Sequence, residues 1–319
     1  MCATPSEVKI HKHTLDTPYP VGPVHIYLLE CNGCYALVDT GPPTPSCYTY
    51  LREKIPLSRL DYVLVTHSHA DHCGASHFIA KNSNARILMP RVDIEKHRNF
   101  NNLLPKLKRF FLESGFPAPL VERMAGTLLS FKYQESVPEN VLAVEDVKLP
   151  DIIHYEGFPG HSISDFVYIV AEKYAITGDF LLNGIFQTPL IEIHPNSLKL
   201  FNNYEAYCES IEKSSRLKSL KILPAHGQLD CAEEAIGFYV EKILKRASFM
   251  RDCLEKHCNL FQATAQLTDP YSNPFKAYLK ASELLFFKSF LQNPYKLKNV
   301  LERIGLYERF RTSFESYLK

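Results

Sequence analysis

The sequence predicts an α/β fold, and three observations predict it. Short apolar, β-branched runs recur between stretches with helical spacing. Several of those runs end in acids, histidines and glycines, on what must be connecting loops. Beyond about Asn259 the strand signals stop and helical patterns alone continue. Alternation of this kind is what a layered α/β domain requires.

The chain has 319 residues, enough for one large domain or two of unequal size. Its 45% hydrophobic and 22% charged residues are ordinary for a globular protein, and a net charge of +1 argues against a globally basic nucleic-acid binder. No apolar run approaches the roughly 18 residues of a membrane span. Met1 to Asp16 is polar and has no signal-peptide core, so the expectation is an intracellular, cytoplasmic protein without a membrane partner. Nine irregularly spaced cysteines describe no disulfide framework.

In order along the chain, His25 to Leu29 and Tyr35 to Val38 read as strands. The Asn-Gly centre of Cys31-Asn32-Gly33-Cys34 makes a hairpin turn between them, a simpler reading than a redox or zinc pair. Val38-Asp39-Thr40-Gly41 is a strand end with an acid and a glycine turn. Pro42 and Pro43 delay the next helix, expected from about Thr44 to Glu53. Tyr62 to Thr66 is a buried strand, Gly74 to Ala80 a helix start and Arg86 to Met89 a short strand. From about Arg91 to Ser130 the pattern is helical, with Leu103, Leu104, Leu107, Phe110 and Phe111 on one face. That insert is either scaffold or a cover that shapes a pocket. Strands resume at Ile152 to Glu156, Phe166 to Val170 and Tyr174 to Thr177. A helix follows from about Ser197 to Lys213, then a strand at Lys221 to Leu223 and a long helix from Ala232 to His257. The tail reads as three or four short helices with nine basic and five acidic residues.

The chemistry gathers behind the strand at Tyr62 to Thr66, in His67-Ser68-His69-Ala70-Asp71-His72. Packed imidazoles repel one another when charged and lack partners when neutral and dry. A divalent metal resolves both problems, since neutral imidazole and carboxylate are its preferred ligands. Residues two apart in an extended loop point the same way, so His67 and His69 can converge on one ion. Asp71 and His72 turn toward a second position nearby. The competing reading is a histidine-rich surface loop.

His67-x-His69-x-Asp71-His72 after a buried strand resembles the signature of the metallo-β-lactamase superfamily. Four further motifs follow the same order: Val38-Asp39-Thr40-Gly41, Gly160-His161-Ser162, Thr177-Gly178-Asp179 and Pro224-Ala225-His226-Gly227. The resemblance covers about Val24 to about His226. It implies an αβ/βα four-layer sandwich over residues 1–258, with a helical insert at about 91–130. A small helical or winged-helix-like domain would occupy 259–319.

The resemblance also implies two divalent metal ions, zinc by default for such ligands, with iron and manganese compatible. His67, His69 and His161 would hold the first, Asp71, His72 and His226 the second. Asp179 would bridge them and Asp39 would orient a ligand from beneath. Asp71 and Asp179 are then the catalytic carboxylates. His11, His13, His25, His77, His97, His154, His194 and His257 match none of the motifs. Cys253, His257 and Cys258 share a helical stretch but lack a fourth zinc ligand.

The implied activity is hydrolysis by a metal-bound hydroxide. Relatives that hydrolyse β-lactams commonly carry cysteine where Asp179 stands, so antibiotic hydrolysis is disfavoured. A small acyl ester or thioester is the first substrate reading. A phosphodiester, with RNA or a single strand gripped by the tail, is the second. Lys276, Lys280, Lys288, Lys296 and Lys298 lie among Tyr271, Phe275, Tyr278, Phe286, Phe287 and Tyr295, a mixture compatible with strand binding or with a packed helical core. A non-catalytic or redox member that uses the fold for binding is the third reading.

Overall fold

The runs read as strands sort into two sheets. The structure is a computed structural model that describes residues 8–31, 33–130, 137–229 and 231–318. Val8–Leu15 (β1), Val24–Cys31 (β2) and Cys34–Val38 (β3) form an antiparallel meander, with Cys31 opposite Cys34. Asn32 of the expected turn lies outside the described residues. Tyr62–Leu64 (β4), Arg86–Met89 (β5) and Leu142–Ala143 (β6) then add in parallel, completing the first sheet. Ile153–Gly157 (β7), Phe166–Val170 (β8) and Tyr174–Gly178 (β9) form a second antiparallel meander. Lys221–Pro224 (β10) pairs parallel to β9 at its edge.

The sheets stack face to face. Tyr27, Leu29, Val38 and Leu64 from one and Tyr168, Val170 and Ile176 from the other share a core. All of β2 except Glu30 is buried, the mark of a strand covered on both faces. On the outer face of the first sheet, Val24, Ile26, Leu37 and Val63 pack against Cys47 and Leu51 of Pro45–Lys54 (α1). Thr44 caps that helix by accepting from the Cys47 amide, and Pro45 sits at its first position. Ala70–Cys73 (α2) and Ser76–Asn82 (α3) follow β4.

The insert supplies the crossover from β5 to β6. Its helices are Arg91–Arg98 (α4), Phe100–Glu113 (α5) and Ala118–Ser130 (α6). On the outer face of the second sheet lie Asn203–Lys213 (α7) and Ala232–Glu255 (α8). The helix expected from Ser197 begins later, at Asn203. Leu200 is taken up in a bridge to Ile193, Leu198 has a φ of 55°, and the Asn202 side chain accepts from the Glu205 amide to start the helix.

The described tail is four helices joined by turns: Leu260–Leu267 (α9), Pro274–Gln292 (α10), Pro294–Arg303 (α11) and Tyr307–Leu318 (α12). One side of α10 sends Leu284, Phe286, Phe287 and Phe290 into the core that holds Tyr204, Tyr207 and Tyr239. The other sends Tyr278 and Ala281 against Phe111, Phe116 and Leu120 of the insert. Burying a large apolar side chain contributes about 1.5–3 kcal/mol, so α10 is bound firmly on both sides. It ties the insert to the second sheet. Among the described residues, no helix is long and apolar enough to cross a membrane.

Candidate metal centre

The carboxyl ends of parallel strands deliver most of the site. Asp39 follows β3, His67 to His72 follow β4, Asp179 follows β9 and His226 follows β10, while His161 lies on the loop from β7 to β8. Hydrogen bonds between the sheets fix the two halves together. Tyr168 Oη donates to the Val65 carbonyl at 3.0 Å, and Tyr27 Oη donates to the Pro224 carbonyl at 2.6 Å. The Phe166 amide donates to the Thr66 carbonyl at 2.8 Å.

Two glycines of the motifs are required by space. A Cβ on Gly178 would lie 2.9 Å from Thr66 Oγ1, and its φ is 52°. A Cβ on Gly160, with φ 151°, would lie 2.8 Å from the Cα of Tyr207 on α7.

All seven expected ligands come together. His67 Nε2 lies 2.9 Å and His161 Nε2 3.0 Å from His69 Nδ1. Asp179 Oδ1 lies 3.4 Å from the Nε2 atoms of both His72 and His226, and its Oδ2 lies 3.4 Å from His161 Nε2. Asp71 Oδ2 is 3.4 Å from His226 Nε2 and 3.8 Å from His72 Nε2. His67, His69 and His161 form one cluster able to hold an ion; Asp71, His72 and His226 form another, and Asp179 groups with His67 and His72. The unmatched histidines belong to none of these clusters among the described residues.

The donors fit a pair of divalent ions. His72 Nε2, His226 Nε2 and Asp179 Oδ1, which face one another in the cluster, are buried without a hydrogen-bond partner. Leaving such groups unsatisfied is costly. Ligand atoms sharing one tetrahedral ion at 2.0–2.1 Å stand about 3.3–3.4 Å from each other. The contacts made by Asp179 have that separation.

Three hydrogen bonds set which nitrogen faces inward. The Pro23 carbonyl accepts from His226 Nδ1 at 2.7 Å, leaving Nε2 bare. Asp39 Oδ2 accepts from His72 Nδ1 at 2.8 Å. Thr66 Oγ1 donates to Asp39 and so receives the proton of His67 Nδ1 at 3.1 Å. Asp39 is held in turn by the Thr66 amide at 2.8 Å, which keeps it at an unfavourable φ of 61°. Orientation of this kind usually accounts for 10–100-fold in metal affinity. Asp39→Ala is therefore expected to weaken metal binding by about 10–100-fold, measured by competition with a chelating dye. Unaltered affinity would remove Asp39 from this role.

The two clusters differ electrostatically. Burial holds the His67 and His69 pKa values well below the usual range, so both rings are neutral. Burial also disfavours charge on His72, but Asp179, Asp71 and Asp39 outweigh it and raise its pKa well above the usual value. Burial opposes ionisation of Asp179 too, yet His226, His72 and His161 keep its carboxyl far below the ordinary range.

A second buried network clamps the ligand loops, and it has no motif. Asp93 on α4 accepts from Ser68 Oγ at 2.6 Å and from Ser164 Oγ at 2.5 Å. Lys96, one turn on, lies 3.2 Å from Asp93 and 2.6 Å from Glu192. Glu192 also accepts from the Ile163 amide at 2.8 Å. Ser68 stands between His67 and His69, and Ile163 and Ser164 follow His161, so the insert holds both loops of the first cluster. The faint sequence signals were Asp93 and Lys96 at helical spacing and Glu192 set between two isoleucines.

Sequence and structure comparisons agree with this geometry. The sequence pattern of the metallo-beta-lactamase superfamily matches residues 19–226. The chain is 25% identical over 273 residues to the "Probable metallo-hydrolase YqjP" of Bacillus subtilis (strain 168), covering 79% of this chain and 82% of that protein. It is 22% identical over 246 residues to the "Beta-lactamase-like protein 2 homolog" of Caenorhabditis elegans, covering 75% and 68%. A metallo-beta-lactamase family protein from Thermus thermophilus has the same fold, with a TM-score of 0.70 at 20% identity over 88% of this chain and 93% of that one. With the superfamily pattern spanning well over half of its length and the five motifs in order within or beside it, the chain belongs to the metallo-β-lactamase superfamily.

Proposed function

We propose that this metallo-hydrolase acts on acyl esters or thioesters with two divalent ions bound. The observation that carries the reading is the cavity beside the metal centre. It has a volume of about 430 Å³ and is reached by His69, Asp71, His161 and Asp179. Most of its remaining wall is leucine, isoleucine and phenylalanine. Among its described lining residues there is no arginine, and its lysine, Lys96, is paired with Asp93 and Glu192. Beyond the two ions, a nucleic-acid strand would need cationic partners for its flanking phosphates, of the kind this wall lacks.

His67, His69 and His161 would hold one ion, Asp71, His72 and His226 the other, and Asp179 both. Such ions act as Lewis acids and make water nucleophilic at neutral pH. The chain's own part is to hold and to orient. Asp39, Thr66 and the Pro23 carbonyl keep ring protons on the outer nitrogens, so the inner ones stay available. Half-buried His69 and the edge of Asp71 face the cavity, so an acyl carbonyl seated there meets the centre from its open side. In the reaction, oxygen from water bonds to the acyl carbon and the bond to the leaving sulfur or oxygen breaks. One proton of water goes to the leaving thiol or alcohol, and the other leaves the carboxylic acid product for solvent.

The contacts of the tail support this reading over nucleic-acid cleavage. Lys280 pairs with Glu283 at 2.9 Å, Lys296 with Glu205 at 2.5 Å and Lys298 with Glu302 at 3.6 Å. Tyr278, Phe286 and Phe287 are buried, unavailable for base stacking. The test is metal analysis of protein purified without chelator, followed by rates on acyl thioesters, acyl esters, bis-p-nitrophenyl phosphate and RNA. Two ions per chain and a preference for the acyl substrates are expected. Uptake limited to one ion, with zinc in excess, would remove the dinuclear part. Faster turnover of the phosphodiester or RNA would replace the acyl reading.

A further inference from the structure

The cavity extends well past the reacting centre, and its far wall comes from two separate parts of the chain. Leu103, Leu104 and Leu107 of α5 form one side, and Phe275 and Leu279 of α10 contribute another. A short acyl group would leave that surface without a partner. We propose that the cavity is an acyl-chain site and that the substrate carries an extended, unbranched apolar acyl group. The inference rests on the ester or thioester reading and names its substrate class.

Several polar side chains along the wall are occupied with the protein itself, while Gln187 Oε1 is buried without a hydrogen-bond partner. Tyr278 Oη donates to the Ile191 carbonyl at 2.8 Å, and Gln187 Nε2 donates to the Phe180 carbonyl at 2.7 Å. Lys96 and Glu192 pair with each other at 2.6 Å, in the network that also holds Ser68 and Ile163 beside the ligands. Charge is therefore collected at the metal end, and the length of the cavity is left to leucine, isoleucine and phenylalanine. That division suits a molecule with one polar reacting end and an apolar remainder. It suits a sugar, a nucleotide or a peptide poorly, since most of their hydroxyls and amides would be buried against leucine, isoleucine and phenylalanine.

The two-part wall makes chain length a property of the packing between insert and tail. Phe111, Phe116 and Leu120 of the insert pack on Tyr278 and Ala281 of α10, which fixes the distance between the two sides. Each methylene buried is worth about a fourfold gain in binding. The gain should continue until the cavity is filled and then stop.

The experiment uses the full-length, metal-loaded protein and p-nitrophenyl esters from acetate to dodecanoate. Expected is a rise in kcat/KM of about threefold to fourfold per methylene, levelling off at one chain length. Calorimetric binding of the product analogues butyrate and decanoate should show decanoate at least about 100-fold tighter. Leu104→Trp should lower the ratio of decanoate-ester to butyrate-ester kcat/KM at least tenfold. Equal rates and equal binding across all lengths, with ester hydrolysis intact, would overturn the acyl-chain site and leave the ester reading standing. No ester or thioester hydrolysis at any length, alongside turnover of bis-p-nitrophenyl phosphate, would overturn that reading and this inference with it.

Discussion

Asp179→Asn is expected to lower turnover by more than about 100-fold, beyond the range ascribed to residues that merely orient a ligand. The carboxylate faces both clusters at once. Its Oδ1 is 3.4 Å from His72 Nε2 and from His226 Nε2, and its Oδ2 is 3.4 Å from His161 Nε2. An amide keeps the shape but has only one acceptor oxygen, and it turns an NH₂ donor toward the other cluster. One ion position then loses an anionic ligand and gains a repulsive group. The fold should survive, because Asp179 Oδ1 makes no hydrogen bond with the scaffold. The measurements are kcat, the metal-to-protein ratio and far-ultraviolet circular dichroism. Full activity with full metal content would exclude Asp179 as the shared ligand.

Lys96→Met is expected to destabilise the protein by about 3–5 kcal/mol, the usual result of removing one partner from a buried ionic network. The ammonium stands between Asp93 at 3.2 Å and Glu192 at 2.6 Å, and all three side chains are at most 10% exposed. Methionine replaces the stem but leaves two buried carboxylates facing each other without a cation. Urea unfolding at fixed metal concentration reads the loss, since bound metal contributes to stability by mass action. Asp93→Asn should cost less in the Lys96→Met background than alone, by about 1–3 kcal/mol of coupling. Metal affinity should fall as well, because Asp93 also holds Ser68 and Ser164 beside the ligands. A stability loss below about 1 kcal/mol would show that water or rearrangement compensates the acids.

The tail illustrates why composition alone left two readings open. Its lysines and aromatics looked alike whether they grip a strand or build a core. In the folded chain Phe286, Phe287 and Phe290 point into the core with Tyr204 and Tyr207, while Lys296 reaches Glu205 from 91 residues away. A lysine in a sequence reads as solvated until its acid arrives from another element.

What the sequence determined by itself was the fold family and which histidines and aspartates gather in the buried clusters able to hold metal. Each ligand motif sits within a few residues of a strand end, so strand, glycine turn and ligand are read together from local sequence. His67 and His69 converge because alternate residues of an extended chain point the same way. The tertiary structure alone decided what surrounds that centre. The Asp93–Lys96–Glu192 network joins residues 96 apart in the chain, and the cavity wall joins an insert near residue 104 to a helix near residue 279. Apolar periodicity marks which face of α5 is buried, but not whether it meets another helix or an open cavity. That depends on how far α10 is held from it, a distance set by packing between distant segments rather than by any local pattern.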